Sequence, residues 1–268
     1  MKENKMECIL CHSDNSRKLF DGPFYTLHLC LSCGSNFQER HNRGGQPPDY
    51  DEEYFKSGHT RAYGRTYIGD EQNIREISRR RLRYLRKIVK PGGRLLDIGS
   101  AMGLFCDEAR AAGLSPEGLE ISGYAREFSS STFNIKVWRD IRECKGSFDA
   151  ATLWFTLEHM DSPAEWINNV RLLLNDGGVI AVSAPNSAGA FARFNPGEYY
   201  RKRPPEHLFE PSPHAMKDLL ERSGFHTIRI EYFGLHPERI SLPQSGLFKI
   251  MQKIAGLGDT FEIYAKKV

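Results

Sequence analysis

The stretch RLLDIGSAMG, residues 94–103, constrains the fold of this chain more than any other. It predicts a short buried strand that runs into a glycine loop and then into a helix. Gly99 has no Cβ, so the backbone can turn tightly there and approach a ligand. Gly103 opens a helix whose free N–H groups face the same crevice. A strand, a glycine loop and a helix in this order are typical of a nucleotide site.

Strands and helices alternate after this stretch, which indicates an α/β fold. Apolar runs predict strands at residues 95–98, 118–121, 135–138, 148–155, 179–184, 227–233 and 261–266. Helical patterns lie between the earlier strands, so we predict a Rossmann-like, doubly wound sheet with helices on both faces. Ligands of such sheets bind outside the carboxyl ends of the strands.

Two cysteine pairs near the N-terminus predict a small separate module. Cys8-x-x-Cys11 and Cys30-x-x-Cys33 are separated by 18 residues, a spacing typical of a zinc ribbon. Four thiolates give Zn²⁺ a closed tetrahedral shell, so the site would be structural. The alternative is redox-active or unpaired thiols. We expect residues 1–45 to be the zinc-ribbon-like module.

Net charge and hydropathy give no indication of a nucleic-acid-binding, secreted or membrane-spanning protein. The 268 residues include 37 basic and 34 acidic side chains, a net charge of +3, which is too mild to indicate nucleic-acid binding by itself. The N-terminal MKENKMEC lacks the apolar core of a signal peptide, and no apolar run is long enough to span a membrane. We therefore expect a cytoplasmic protein without a membrane partner.

Residues 46–90 are predicted to connect the cysteine module to the α/β domain at residues 91–268. The segment 41–69 is rich in tyrosine, glycine and proline. It is either a linker that packs its rings on the next domain or a lid over an active site, since long connections are often functional. Residues 70–90 predict a helix with many basic residues, for which a solvated face is favoured over an RNA-facing patch.

Two acidic residues distinguish the expected ligand from a dinucleotide. Asp97 ends the first strand just before the glycine loop, and Glu120 ends the second strand 23 residues later. A carboxylate at Asp97 is a poor neighbour for a pyrophosphate and a good one for a cation. Glu120 stands where an acidic side chain can bind both hydroxyls of a ribose. S-adenosylmethionine carries an ammonium and a sulfonium group and no phosphate, so it fits this pattern.

Six motifs follow one another along the chain: LLDIGSAMG (95–103), GLEIS (118–122), FDAATLWFTLEHMDSP (148–163), LLLNDGGVIAVSAPN (172–186), EHLFEPSP (206–213) and LLERSGF (219–225). In this order they resemble the class I S-adenosylmethionine-dependent methyltransferases. The similarity is to the bacterial small-molecule and sugar branch related to the ubiquinone-biosynthesis O-methyltransferases. It covers about residues 50–268 and implies seven strands, the last antiparallel. A Cys₄ knuckle before such a domain also occurs in deoxysugar methyltransferases and in one group of ribosomal-RNA methyltransferases.

The resemblance implies roles for individual residues. The methionine end of the cofactor would lie on the loop, the ribose on Glu120, and the adenine near Ile121 and Asp140. The implied cofactor-binding positions are Asp97, Gly99, Ser100, Ala101, Gly103, Glu120, Ile121, Asp140, Ile141 and Trp154.

Three residues are candidates for acid–base chemistry on a hydroxyl acceptor. His159 is the first candidate for the base, because an imidazole titrates near neutral pH, and Glu158 would orient it. His207 is the second. The alternatives are that Glu158 and His159 cap the fourth strand and that His207 orders a turn before Pro211. The ubiquinone-type enzymes bind a divalent cation at this motif with a further carboxylate, where this chain has Phe155. One carboxylate and one imidazole suit Mg²⁺ poorly, so we expect no catalytic metal.

Three functions are open at this point. The favoured one is O-methylation of a small molecule, a sugar or a glycan. An RNA methyltransferase whose zinc module binds RNA is the alternative, although residues 1–45 are not strongly basic and no NPPY-like signature follows the fourth strand. A non-catalytic S-adenosylmethionine-binding protein is the third.

Overall fold

A computed structural model describes residues 6–41, 51–58, 66–234 and 256–268. Its strands are β1 (Ser16–Asp21), β2 (Tyr25–Cys30), β3 (Asn36–Arg40), β4 (Arg94–Ile98), β5 (Ser115–Leu119), β6 (Val137–Trp138), β7 (Phe148–Trp154), β8 (Leu174–Pro185), β9 (Phe209–Glu210), β10 (Phe225–Phe233) and β11 (Thr260–Lys267). Its helices are α1 (Glu71–Ile88), α2 (Leu104–Ala111), α3 (Gly123–Phe133), α4 (Pro163–Leu173), α5 (Ala190–Phe194), α6 (Pro196–Lys202) and α7 (Pro213–Arg222).

The larger of two sheets has seven strands in the order β10-β11-β8-β7-β4-β5-β6. The pairs β4–β5, β4–β7 and β5–β6 are parallel, and the last strand runs antiparallel. β4, β7 and β8 are buried along most of their length, as apolar strands covered on both faces are. The predicted seven-stranded, doubly wound fold is confirmed.

Strand ends differ from the sequence prediction by a few residues. β5 is Ser115–Leu119, so Glu120 and Ile121 lie just beyond its carboxyl end rather than within it. β7 ends at Trp154, because Phe155 has φ of 54°, in the left-handed region where a strand cannot continue. The prediction at residues 179–184 is the second half of the longer β8.

The chain divides into two compact units. The glycine-loop unit consists of Gln46–Trp154, Asn169–Ala181 and Lys266–Val268. The cysteine unit consists of Met1–Gly45, Phe155–Asn168 and Val182–Ala265. Within the described ranges, no helix is both long enough and apolar enough to cross a membrane.

The cysteine unit contains a four-stranded sheet in the order β1-β2-β3-β9. β1, β2 and β3 form an antiparallel meander, and β9 adds to it from residues far along the chain. α7 follows β9 directly. It begins where Ser212 accepts a hydrogen bond from the Ala215 amide, with Pro213 at the first helical position. The sequence motifs do not predict the addition of β9.

Candidate active site

Asp97 lies at the centre of the glycine-loop unit, on β4 opposite Gly118 and Thr152 of the neighbouring strands. Its carboxylate is buried and accepts a 2.6 Å hydrogen bond from the Thr152 hydroxyl. Burial raises the pKa of Asp97 to about 7, although the Thr152 hydrogen bond and the positive charge of Arg81 act in the opposite direction. A buried carboxylate of this kind favours a cationic ligand, which would restore its ionised form.

Glu120 fixes the shape of the glycine loop. Its two carboxylate oxygens accept hydrogen bonds from the amides of Ala101, at 2.9 Å, and Ser122, at 2.8 Å. Ala101 has φ of 46° and Gly99 φ of 73°, so the loop needs left-handed backbone at both positions. Each oxygen keeps further lone-pair capacity for a ligand hydroxyl. Glu120 therefore stabilises the loop conformation and is also a candidate ligand of the ribose.

Gly103 allows helix α2 to start close to helix α3. Its φ is 82°, and a Cβ at this position would lie 2.2 Å from the Ser129 hydroxyl oxygen. No other residue fits without a shift of the α3 backbone or side chains. The glycine therefore sets how closely the first turn of α2 approaches the loop.

An aromatic cover lies on this loop, formed by residues before α1. Phe55 is 4% exposed and packs with Met102 of the loop and with the rings of Tyr54, Tyr67 and Tyr124. The pKa of Tyr67 is raised above its usual value by burial and by the charges of Asp97 and Glu120. Three aromatic residues of the 41–69 segment, Tyr54, Phe55 and Tyr67, thus pack on the ligand loop, while residues 42–50 and 59–65 lie outside the described residues.

Arg81 is a further residue of this site that the sequence analysis missed. It is 8% exposed, although it belongs to the basic helix α1, and its guanidinium lies 4.0 Å from the ring centroid of Trp154. Its charge also acts on Asp97. The predicted fully solvated basic face is therefore wrong for this residue. Helical periodicity could have indicated it, because Arg81 lies four residues after Ile77 and four before Leu85, on the apolar face of the helix.

Arg75 and Arg79 of α1 also have partners within the unit. Both bind the carboxylate of Glu108 on α2, with N···O distances of 2.8–2.9 Å. These ion pairs attach α1 to the helix that follows the glycine loop. Two of the basic residues of α1, Arg75 and Arg79, therefore have a structural role.

The two predicted adenine contacts, Ile121 and Asp140, are accessible at the surface of the unit. Ile121 is 72% exposed. Asp140 caps the short helical turn Ile141–Glu143 and binds the Arg142 side chain, with both hydrogen bonds at 2.9 Å. The Arg142 hydrogen bonds lower the pKa of Asp140 to about 2. Their role in binding adenine stays a prediction.

The residues around the loop fit S-adenosylmethionine by their charges. Two buried carboxylates, Asp97 and Glu120, suit an ammonium group and ribose hydroxyls, and one buried guanidinium, Arg81, suits a carboxylate. Tyr67 and Phe55 add apolar cover next to these groups. A dinucleotide would bring a pyrophosphate to the same buried carboxylates, which is unfavourable.

The four cysteines come together in the cysteine unit. The Cys8 and Cys33 sulfurs are 3.7 Å apart, and those of Cys11 and Cys30 are 3.5 Å apart. All four lie within 4.8 Å of one another and none forms a disulfide. Tetrahedral zinc with Zn–S bonds of about 2.3 Å would separate its sulfurs by about 3.8 Å. The geometry fits a Zn²⁺ ion.

A second cluster of the cysteine unit joins Glu158, His159 and His207. The two imidazole rings are edge to face, with centroids 5.0 Å apart. Glu158 is fully buried, and neither of its carboxylate oxygens has a hydrogen-bond partner. Burial raises the pKa of Glu158 to about 7. Burial and the charge of His207 lower the pKa of His159 to about 3, so this imidazole is neutral at physiological pH.

His207 is oriented by residues that the sequence analysis did not single out. Its Nδ1 lies 3.0 Å from Glu210 Oε1, and the other oxygen of Glu210 accepts a 2.6 Å hydrogen bond from the Tyr199 hydroxyl. Burial alone would raise the pKa of Glu210, but Arg203 and the hydrogen bonds of His207 and Tyr199 hold it below its ordinary value. An ionised carboxylate on Nδ1 leaves Nε2 available to accept a proton. The EHLFEPSP motif contains Glu210 but gives no sign of this contact.

The Glu158 cluster also has the form of a cation site. One ligand atom from each of Glu158, His159 and His207 can lie within 4.8 Å of the others. Two imidazoles and one carboxylate favour a transition metal over Mg²⁺, which prefers oxygen ligands. The expectation of no catalytic metal rests on one carboxylate and one imidazole, whereas the structure brings a second imidazole, His207, to the cluster. That expectation stays a prediction.

Residues 70–230 match the family described as "Methyltransferase domain". The ubiquinone biosynthesis O-methyltransferase of Xanthomonas campestris pv. campestris (strain B100) is 29% identical over 167 residues, which are 58% of this chain and 68% of that protein.

Solved structures of other methyltransferases share the fold. An S-adenosylmethionine-dependent methyltransferase from Archaeoglobus fulgidus has a TM-score of 0.55 at 22% identity, over 75% of this chain and 99% of its own. Magnesium protoporphyrin IX methyltransferase from Synechocystis PCC 6803, with bound S-adenosylhomocysteine, has a TM-score of 0.55 at 13% identity, over 81% and 97% of the two chains. The chain therefore belongs to the methyltransferase domain family, as an S-adenosylmethionine-dependent methyltransferase of class I fold.

Proposed function

We propose that this protein transfers a methyl group from S-adenosylmethionine to a hydroxyl group of a small molecule, with a sugar or glycan end among the acceptors. The observation that carries the proposal is the pair of buried carboxylates, Asp97 and Glu120, beside the glycine loop of a methyltransferase domain. The O-methyltransferases that match at 28–29% identity support oxygen as the methylated atom.

In this proposal the glycine-loop unit holds and orients the cofactor. Asp97 binds the ammonium group, Arg81 binds the carboxylate, and Glu120 binds the ribose hydroxyls. The cofactor supplies an activated methyl group when bound, so the protein contributes mainly orientation and exclusion of water. The aromatic cover around Phe55 excludes water from one side of the loop.

A hydroxyl acceptor must also lose its proton, and we favour His207 over His159 as the base. The pKa of His159 lies near 3, far below the operating pH at which a general base is effective. His207 has an acidic residue, Glu210, on its Nδ1, which stabilises the imidazolium that forms. His159 and Glu158 then act as polar neighbours of the base.

We further infer that Cys8, Cys11, Cys30 and Cys33 hold one structural Zn²⁺. The proposed division of the chain is a zinc module at 1–45, a connecting segment with the basic helix at 46–90, and the methyltransferase domain at 91–268. Metal analysis of protein purified without chelators should find one zinc per chain, and Cys11→Ser should lose it. Zinc below about 0.2 per chain in the wild type would contradict the assignment.

A labelling experiment tests the acceptor class. The protein is incubated with methyl-labelled S-adenosylmethionine and an extract of its native cells, which is then separated into small-molecule, RNA and protein fractions. We expect base-stable label in the small-molecule fraction, lost with Asp97→Asn. Label in RNA would favour the alternative function, and binding of cofactor without S-adenosylhomocysteine production in any fraction would favour a non-catalytic protein.

A further inference from the structure

The cysteine module, residues 6–41, is joined to the segment that carries His207. β3 pairs antiparallel with β9, placing Asn36 opposite Glu210 and Phe37 opposite Phe209. The pairing continues beyond β9, where the Gln38 amide donates a 2.9 Å hydrogen bond to the Leu208 carbonyl. The two residues of β9 thus pair with a strand of the β1–β3 meander. The first cysteine knuckle, Cys8–Cys11, precedes β1, and the second, Cys30–Cys33, connects β2 to β3.

The second knuckle is joined to the start of α7. The Ser212 hydroxyl donates to the Cys33 carbonyl at 2.6 Å, and the Ser212 amide donates to the Ser35 hydroxyl at 3.0 Å. The Gly34 carbonyl accepts a 2.8 Å hydrogen bond from Ser187. Peptide groups of the knuckle that folds around the thiolates therefore bind both ends of the segment 187–212.

The first knuckle makes one such contact of its own. The Arg222 guanidinium, at the end of α7, donates a 2.7 Å hydrogen bond to the Leu10 carbonyl between Cys8 and Cys11. Both knuckles thus contact the element that follows β9. Loss of the knuckle fold would release these contacts together.

The register of β9 decides whether Glu210 can reach His207. Side chains alternate between the two faces of a strand, so a slip of one residue would turn Glu210 to the opposite face. A strand of two residues has too few ladder hydrogen bonds to fix its own register. The contacts of Gln38 with Leu208 and of Ser212 with the second knuckle hold it on both sides.

We propose that the cysteine module is a positioning device for the His207–Glu210 pair, with Gln38, Ser35 and the Cys33 peptide as its positioning groups. Metal binding folds the knuckles, the knuckles fix β3 and Ser212, and these fix β9 in the register that holds Glu210 on the Nδ1 of His207. The proposal rests on the proposed function, since it takes zinc as the occupant of the cysteine site and His207 as the base.

A pair of substitutions at Gln38 isolates the backbone contact. Gln38→Pro removes the N–H that binds the Leu208 carbonyl and leaves the cysteines intact. Gln38→Ala removes only the side chain, which accepts a hydrogen bond from Arg203 at 3.3 Å, and is the matched control. Measurements on each full-length variant are zinc content, S-adenosylhomocysteine affinity by calorimetry, and ¹⁵N signals of the His207 ring.

In Gln38→Pro we expect full zinc content, cofactor affinity within about twofold of the wild type, and a His207 ring that loses the signature of an Nδ1–H hydrogen bond to carboxylate. kcat for the labelled small-molecule fraction should fall about tenfold or more, with KM changing less, because misplacement of a catalytic group by about 1 Å is costly. Gln38→Ala should keep the ring signature. An unchanged His207 signature in Gln38→Pro would overturn the proposal.

Removal of zinc from the wild-type protein is a second test of the proposal. We expect the amides of Glu210, which pairs with Asn36, and of Ser212, which donates to Ser35, to lose protection from hydrogen exchange while those of β4 keep theirs. Protected Glu210 and Ser212 amides in zinc-free protein would also overturn the proposal, and if that protein unfolds, the Gln38 pair decides. If His207→Gln retains turnover, the proposed base is wrong, whereas the exchange and ring-signal results still report on positioning.

Discussion

At the scale of single residues, burial shifts the pKa values of side chains in the candidate site. Asp97 has an ordinary pKa of 3.8 and a folded-state pKa of about 7, because the folded chain removes its carboxylate from water. Its contribution to folding stability is therefore fully present below about pH 4 and lost as the pH rises through about 7. A cationic ligand stabilises the ionised form of Asp97 and therefore lowers the pKa of its carboxyl group.

The affinity for S-adenosylmethionine should therefore rise with pH up to about 7. Below that value it should weaken by up to about tenfold per pH unit, since protonated Asp97 no longer attracts the ammonium group. Calorimetric titrations between pH 5 and 8 would measure this. Asp97→Asn should show weak binding without this pH dependence. Thr152→Val, which removes a hydrogen bond that lowers the pKa of Asp97, should shift the midpoint upward.

The two histidines should differ in their effect on turnover. His207→Gln removes the proposed base and should lower kcat by about 10²–10⁴-fold, the usual contribution of general base catalysis. His159→Gln removes an imidazole that is neutral at the working pH and should cost less than about tenfold. Steady-state kinetics on the labelled small-molecule fraction would separate them. A larger loss of kcat in His159→Gln than in His207→Gln would identify His159 as the base.

At the scale of elements, the packing of short segments determines what surrounds the glycine loop. The π-helical turn Tyr54–Gly58 carries Phe55 onto Met102 and Tyr124, and the turn Ile68–Asp70 follows Tyr67. α1 then brings Arg81 to Trp154. The two short turns before α1 have little regular secondary structure of their own, so the aromatic contacts of Phe55 and Tyr67 hold them on the loop.

Phe55→Ala tests the aromatic cover. Truncation of a buried phenylalanine should lower the free energy of unfolding by about 3–5 kcal/mol, and S-adenosylmethionine binding should weaken because the cover no longer packs on Met102. Phe24→Ala is the matched control, since Phe24 is 55% exposed and its loss should change stability by less than about 0.5 kcal/mol. Chemical denaturation and calorimetry would measure both effects. Equal stability of the two variants would mean that Phe55 contributes no cover.

At the scale of the whole molecule, the sequence predicts the sheet better than the site. Alternating apolar runs and helix signals predict seven strands, because burial on both faces imposes that pattern. The pairing of β9 with β3 joins residues about 170 positions apart through a strand of two residues, which has no periodicity to detect. Arg81 lies on the apolar face of α1, four residues before Leu85, but residue type alone favours solvent exposure for an arginine.

We infer that the glycine loop binds S-adenosylmethionine and not a dinucleotide. The most direct test is calorimetric titration of the full-length protein, near pH 8, with S-adenosylmethionine and separately with NAD. One equivalent of S-adenosylmethionine should bind per chain, NAD should give no binding heat, and Asp97→Asn should bind S-adenosylmethionine only weakly while still unfolding cooperatively. Binding of NAD in place of S-adenosylmethionine, or undiminished affinity in Asp97→Asn, would contradict the claim.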